Sequence, residues 1–98
     1  MFGFGKALDV LREGNAVRRD GWGDGKRLIF VPGSQIKIAA DRPLGIALGD
    51  LAAGRTAFFG AHIDLVTVVA LADETAYSVI VWSATVDDLL AEDWDYVR

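Results

Sequence analysis

The sequence predicts an α+β domain in which a mostly antiparallel sheet packs on an N-terminal helix and is closed by a short capped C-terminal helix and a final strand. Three observations predict it. Phe4, Ala7, Leu8 and Leu11 recur at the i, i+3, i+4, i+7 spacing of a helix face. Residues 63–71 and 76–82 are rich in Val and Ile and are joined across Ala72-Asp73-Glu74-Thr75, a turn between two strands that should pair. Thr85 precedes Asp88 by three positions, a capping pair that starts a helix.

In chain order, the first helix carries Lys6, Asp9, Arg12 and Glu13 on its polar face and stops at Gly14-Asn15. Residues 16–19 and 28–31 are short β-favouring runs around Asp20-Gly21-Trp22-Gly23-Asp24-Gly25, which reads as an antiparallel hairpin with a wide loop. Pro32-Gly33 ends the second run. Residues 34–39, with Ile36 and Ile38 on one side and Gln35 and Lys37 on the other, read as a half-exposed third strand. Arg42-Pro43-Leu44-Gly45 reads as a bend, and residues 46–53 as a short helix weakened by Gly49 and stopped by Gly54. The runs 63–71 and 76–82 are apolar on both faces, so both faces should be covered, by helix or by a partner subunit. After Thr85, Asp87 and Asp88 suit the positive end of a helix dipole, while Val86, Leu89 and Leu90 form a face expected to be buried. Trp82 and Trp94 flank this helix as its anchors, and Trp94 and Tyr96 alternate with Asp95 in a last short strand.

Composition narrows the functional classes. The 98 residues suit a single domain, and 52% of them are apolar at a mean hydropathy of +0.28, more than a small monomer comfortably buries, which points to self-association. There is no cysteine, so disulfides and thiolate metal sites are excluded, and a reducing compartment, the cytoplasm, is expected. No apolar run reaches the roughly 18–20 residues of a membrane span, and Lys6 and Asp9 interrupt what would be a signal-peptide core. A net charge of −4 argues against nucleic acid as partner, because phosphate neutralisation supplies most of that affinity.

Four of the ten basic residues, Arg18, Arg19, Lys26 and Arg27, flank the glycine-rich turn that holds Trp22. Cations, glycine amides and an aromatic plane together suit a nucleotide-like anion, the base stacked on the indole and the phosphates met by guanidinium and N–H groups. The same residues also describe a solvated turn with a tryptophan tucked onto the core, and the residues alone favour that reading. His62 and Asp64 lie two apart, on one strand face. They are too few for a metal site, and no nucleophile-elbow spacing surrounds Ser34, Ser78 or Ser83. A ligand contact or a structural role suits His62 better than catalysis.

The run Leu89-Leu90-Ala91-Glu92-Asp93-Trp94, preceded by Trp82 and Asp88, resembles the C-terminal signature of the Thoeris anti-defence type 2-like family. Phe4-Gly5-Lys6-Ala7-Leu8, Gly14, Val17-Arg18-Arg19, Gly21-Trp22 and Val31-Pro32-Gly33-Ser34 resemble its opening, and His62-Ile63-Asp64-Leu65 a piece of its middle. The chain departs at Gly23, where that family usually has Asn, and at Val86, where it has Gln. The resemblance implies a phage or prophage sponge that binds, without cleaving, the cyclic ADP-ribose-type signal of bacterial Thoeris immunity. It implies a homo-oligomer, dimer or tetramer, with ligand held between subunits in the host cytoplasm. It also marks Trp22 and Trp82 for ligand stacking and brings Asp88 into the candidate site, with no cofactor. Two other classes stay open: a structural or protein-interaction module whose aromatics are all core, and a small nucleotide hydrolase using His62 and Asp64.

Overall fold

The computed structural model describes residues 1–97, which form two compact units: residues 1–31 with 62–97, and residues 32–61. The first unit is an α+β layer pair. Helix α1 (Phe4–Arg12) lays Ala7, Val10 and Leu11, all fully enclosed, onto one face of a five-stranded antiparallel sheet. Its end is a Schellman turn: Gly14, at φ +96°, donates its N–H to the Leu11 carbonyl and Asn15 donates to that of Val10. Glycine suits this left-handed position because it has no Cβ to clash.

The sheet is built from β1 (Val17–Arg19), β2 (Lys26–Val31), β5 (His62–Ala70), β6 (Thr75–Val81) and β7 (Trp94–Tyr96), in the spatial order β6-β5-β2-β1-β7. The strands β3 (Ser34–Lys37) and β4 (Thr56–Phe59) belong to the second unit. The expected hairpin is present, with Val17 opposite Leu28 and a one-turn 3₁₀ segment, Asp20–Trp22, inside its loop. Strand β1 pairs more fully with β7, through Val17–Tyr96, Arg18–Asp95 and Arg19–Trp94. Strand β5 joins β2 on one side, Leu28 facing Leu65, and β6 on the other, Leu65 facing Ile80. The alternation of side chains places Val17, Leu28, Leu65 and Trp94 on the face that meets α1. Trp94, Leu11, Leu28, Val10 and Val17 are the largest fully buried side chains.

Helix α3 (Val86–Leu90) starts as the sequence predicts. The Thr85 N–H donates to the Asp88 carboxylate at 3.0 Å, and the Asp88 N–H donates to the Thr85 hydroxyl at 3.1 Å. Its apolar face differs from expectation: Val86, Leu89 and Leu90 are exposed in the single chain. The helix is held instead through its polar side, where Trp94 Nε1 donates to the Asp88 carbonyl at 2.9 Å. Five residues give too few internal hydrogen bonds to persist alone, so cap and indole fix it. The faces of β5 and β6 are likewise not both covered: Val68, Val69, Tyr77, Val79, Ile80 and Val81 are exposed.

In the second unit β3 (Ser34–Lys37) pairs antiparallel with β4 (Thr56–Phe59), a strand the sequence does not announce. Helix α2 (Pro43–Leu48) begins at Pro43, where a bend was expected, because proline's fixed φ suits a first helical position that needs no N–H donor. Gly45 lies so close to the Ala39 backbone that no side chain fits there.

Two substitutions separate the contributions of cap and core. Thr85→Ala should lower unfolding free energy by about 1 kcal/mol, the usual value of an N-cap hydroxyl. Trp94→Ala should cost about 3–5 kcal/mol, as for other large buried aromatics. Urea titration followed by tryptophan fluorescence or circular dichroism measures both.

Candidate functional site

The site grows from the end of β1. Arg19 is the last residue of that strand and points to the α1 side of the sheet, where two acidic residues from the C-terminal segment meet it. Its Nε donates to Asp93 at 3.0 Å and its Nη1 to Asp88 at 3.1 Å. A 3₁₀ turn follows at once and carries Trp22 back over the core, edge-on to Trp94 at a centroid distance of 5.4 Å. Trp82, from the segment after β6, meets Trp94 edge-on from another side at 5.9 Å, and Phe4 closes the group at 5.6 Å from Trp82 and 5.5 Å from Trp94. Between Arg19, Gly21, Trp22 and Asp93 the surface sinks into a hollow of about 250 Å³.

Electrostatically this is a balanced centre. The Arg19 guanidinium is held above its already high value by hydrogen bonds to Asp93 and Asp88. Asp88 is held below the ordinary carboxylate range: partial burial pushes its carboxyl up, but hydrogen bonds from Thr85 and the Arg19 guanidinium outweigh it. A ligand phosphate reaching Arg19 must therefore share it with two carboxylates, so Arg19 here is first a positioning group.

The nine sequence-predicted site residues divide between the two faces of the sheet. Continuing the Val17–Leu28 register puts Arg19 and Lys26 on the α1 side, Arg18 and Arg27 on the far side. Trp22, Trp82, Arg19 and Asp88 gather around Trp94, with Lys26 exposed at the same strand end. Arg18 instead pairs with Asp24 at 2.8 Å. His62 Nε2 lies 3.2 Å from Asp64 Oδ1 on the same far face, at the opposite end of β5 from the glycine-rich turn. Within one chain, then, the structure brings together the tryptophans, Arg19 and Asp88, and keeps Arg18, Arg27, His62 and Asp64 apart from them.

Asp93 was not singled out in the sequence. Its role depends on β1 pairing with β7 across 74 positions, which no local signal announces. Gly23 takes φ +62° and ψ −151°, a region open in practice to glycine alone, so the asparagine usual at this place would need a different loop path. Among the described residues no group of three or more His, Asp or Glu is placed to hold a metal ion.

A second hollow, of about 320 Å³, lies in the other unit and is lined by Gly33, Ser34, Gln35, Phe58 and Phe59.

Compared with known proteins, the chain matches the Thoeris anti-defense 2-like domain over residues 2–97. It is 35% identical over 94 residues to a protein of Bacillus phage SP01 called Thoeris anti-defense 2, covering 96% of this chain and 92% of that one.

The lowered Asp88 carboxyl fixes a pH dependence. A group depressed in the folded state contributes stability that is present above its ordinary value of 3.8 and lost as pH falls through the folded value. The urea midpoint should thus fall as pH drops below about 4, and Asp88→Asn, weaker at neutral pH, should show a shallower acid loss. Equal acid slopes for the two proteins would remove Asp88 from the acid-sensitive set.

Proposed function

Because the chain belongs to the Thoeris anti-defense 2-like family, we propose that it is an anti-defence sponge of phage or prophage origin. It binds a cyclic ADP-ribose-type nucleotide in the bacterial cytoplasm and keeps it from its effector without cleaving it. The observation that carries this reading is the hollow beside Trp22. One wall is an indole resting edge-on against the enclosed Trp94, so the wall is rigid, and one rim is a cation fixed by two carboxylates. A base stacked on Trp22 would meet a preformed surface, and Gly21 leaves the backbone open to it.

Size argues for more than one chain per site. Ligand pockets for small molecules commonly enclose about 300–1,000 Å³, and this open hollow has about 250 Å³. One chain would grip part of the nucleotide, and a neighbouring subunit of a homodimer or homotetramer would hold the rest. Far-face groups such as Arg18, Arg27, His62 and Asp64 would then serve the ligand bound by another copy.

Binding of this kind asks for no proton transfer. The chain has no cysteine and a single histidine, and His62 lies beside one carboxylate at the strand end away from Trp22. Stacking, pairing with phosphate and burial between copies would suffice.

Titration with glycocyclic ADP-ribose in a calorimeter should give saturable heat, and Trp22→Ala should weaken affinity by about 1–3 kcal/mol, the range for loss of one stacked base. Trp22 also packs on the core, so that variant should melt somewhat lower; its circular dichroism establishes whether it is folded. Heating the loaded protein should release the nucleotide unchanged, as chromatography against untreated ligand will read. A hydrolysed product that disappears with His62→Ala would favour a nucleotide hydrolase instead, and flat heats would favour a structural module.

A further inference from the structure

The two edges of the five-stranded sheet are treated differently by the sequence. At one edge β7 is only three residues long, has Asp95 at its centre and is covered by the chain's own beginning: the Phe2 N–H donates to the Trp94 carbonyl at 2.8 Å and the Trp94 N–H to the Phe2 carbonyl at 3.0 Å. The other edge is β6, Thr75-Ala76-Tyr77-Ser78-Val79-Ile80-Val81, with no charge, no proline and an unbroken seven-residue register against β5. Soluble proteins ordinarily blunt such an edge with lysine, proline, a bulge or a covering segment, and none of these occurs along β6.

The pairing pattern tells which main-chain groups are outward. Leu71 donates to the Glu74 carbonyl and Trp82 to that of Ile63, so the hydrogen-bonded pairs with β5 fall on Ala76, Ser78, Ile80 and Trp82. By the alternation of an antiparallel ladder, the N–H and C=O groups of Thr75, Tyr77, Val79 and Val81 point away from the sheet. The side chains of the same residues stand on the face opposite α1, where Tyr77 is 65%, Val79 54% and Val81 67% exposed. Strand β6 thus offers an outward hydrogen-bonding row and an apolar row on the same four residues.

We propose that the occupant of this edge is β6 of a second copy, running antiparallel about a two-fold axis at Ser78 and joining two sheets into one of ten strands. The argument is self-complementarity. About this axis Thr75 faces Val81 and Tyr77 faces Val79 of the other copy, giving up to about eight main-chain hydrogen bonds. Each aromatic meets a β-branched residue, a favourable cross-strand pair. Two chains of net charge −4 repel at distance, yet no charged residue stands opposite another along this line, because residues 75–86 are uncharged. The exposed Val68 lies beside Tyr77 on the same face and widens the contact beyond the strand itself. The proposal deepens the homo-oligomer reading above by naming its surface. It is tested with no nucleotide present, so that it and the ligand reading fail separately.

At the axis, Ser78 faces its own copy in a non-hydrogen-bonded pair, with Cα atoms about 4.5 Å apart. That separation lies within disulfide range. The chain has no cysteine, so Ser78→Cys supplies a single reporter. Oxidation with diamide at micromolar protein should convert the variant almost wholly to a linked dimer on a non-reducing gel, whereas Glu74→Cys should stay largely unlinked. Separately, Val79→Pro removes an outward N–H that β5 does not use, so the fold should survive by circular dichroism while light scattering shows the particle mass halved. Failure of Ser78→Cys to link, or a Val79→Pro protein that is folded and unchanged in mass, overturns the proposal, as does a wild-type protein that is monomeric near 10.6 kDa.

Discussion

The enclosure of Trp94 is the constraint on which the first unit depends. Its backbone is clamped between Arg19 of β1 and Phe2, its indole N–H holds the Asp88 carbonyl, and its ring is the common neighbour of Phe4, Trp22 and Trp82. A fully buried indole needs a partner for its N–H, since leaving that donor unpaired costs about 1–3 kcal/mol. That requirement ties the position of α3 to the core. Through Asp88 and Asp93 it also ties Arg19, and hence the turn bearing Trp22, to the same point. Core and candidate site are one construction here.

That construction explains what could be read in the sequence. The capping pair Thr85 and Asp88, the end of α1 at Gly14, the turn between β5 and β6 and the wide hairpin loop are local events, decided by residues a few positions apart. The pairing of β1 with β7 and of β3 with β4 is not local. Thr56-Ala57-Phe58-Phe59 is a short run behind a glycine, and nothing in it names Ser34–Lys37 as its partner. The start of α2 at Pro43 was hidden by proline's double meaning, as a bend residue and as a helix opener. In the site, Trp22 was legible from its glycine setting, while Asp93 was not. Strand alternation does send the neighbouring cations Arg18 and Arg19 to different faces, but it does not name the carboxylates that meet them, Asp24 for one and Asp88 with Asp93 for the other.

The exposed apolar residues mark the surface that one chain leaves uncovered. Val86, Leu89 and Leu90 on α3 and Tyr77, Val79 and Val81 on β6 were chosen as if for an interior. A small chain encloses a limited fraction of its surface, and the enclosed side chains here concentrate around α1 and Trp94. The remainder, apolar side chains beside main-chain groups of fixed direction, is what the proposed second copy would cover. In the sponge proposed above, association would cover this apolar surface at the same time as it brings a second copy to the ligand.

The closure of β7 onto β1 and Phe2 also governs how quickly the chain can find its structure. The Arg19–Asp93 contact spans 74 positions, and the clamp on Trp94 spans more. Closing such a loop has an entropic cost that grows only slowly with length, but it must be met before the core contacts repay it. The hairpin of β5 and β6 can form early and locally, exposing an uncharged edge while the core is still open. Refolding yield should therefore fall as protein concentration rises, even where mass action makes the proposed assembly more stable, the burden of a fold whose quickest strand is also its stickiest.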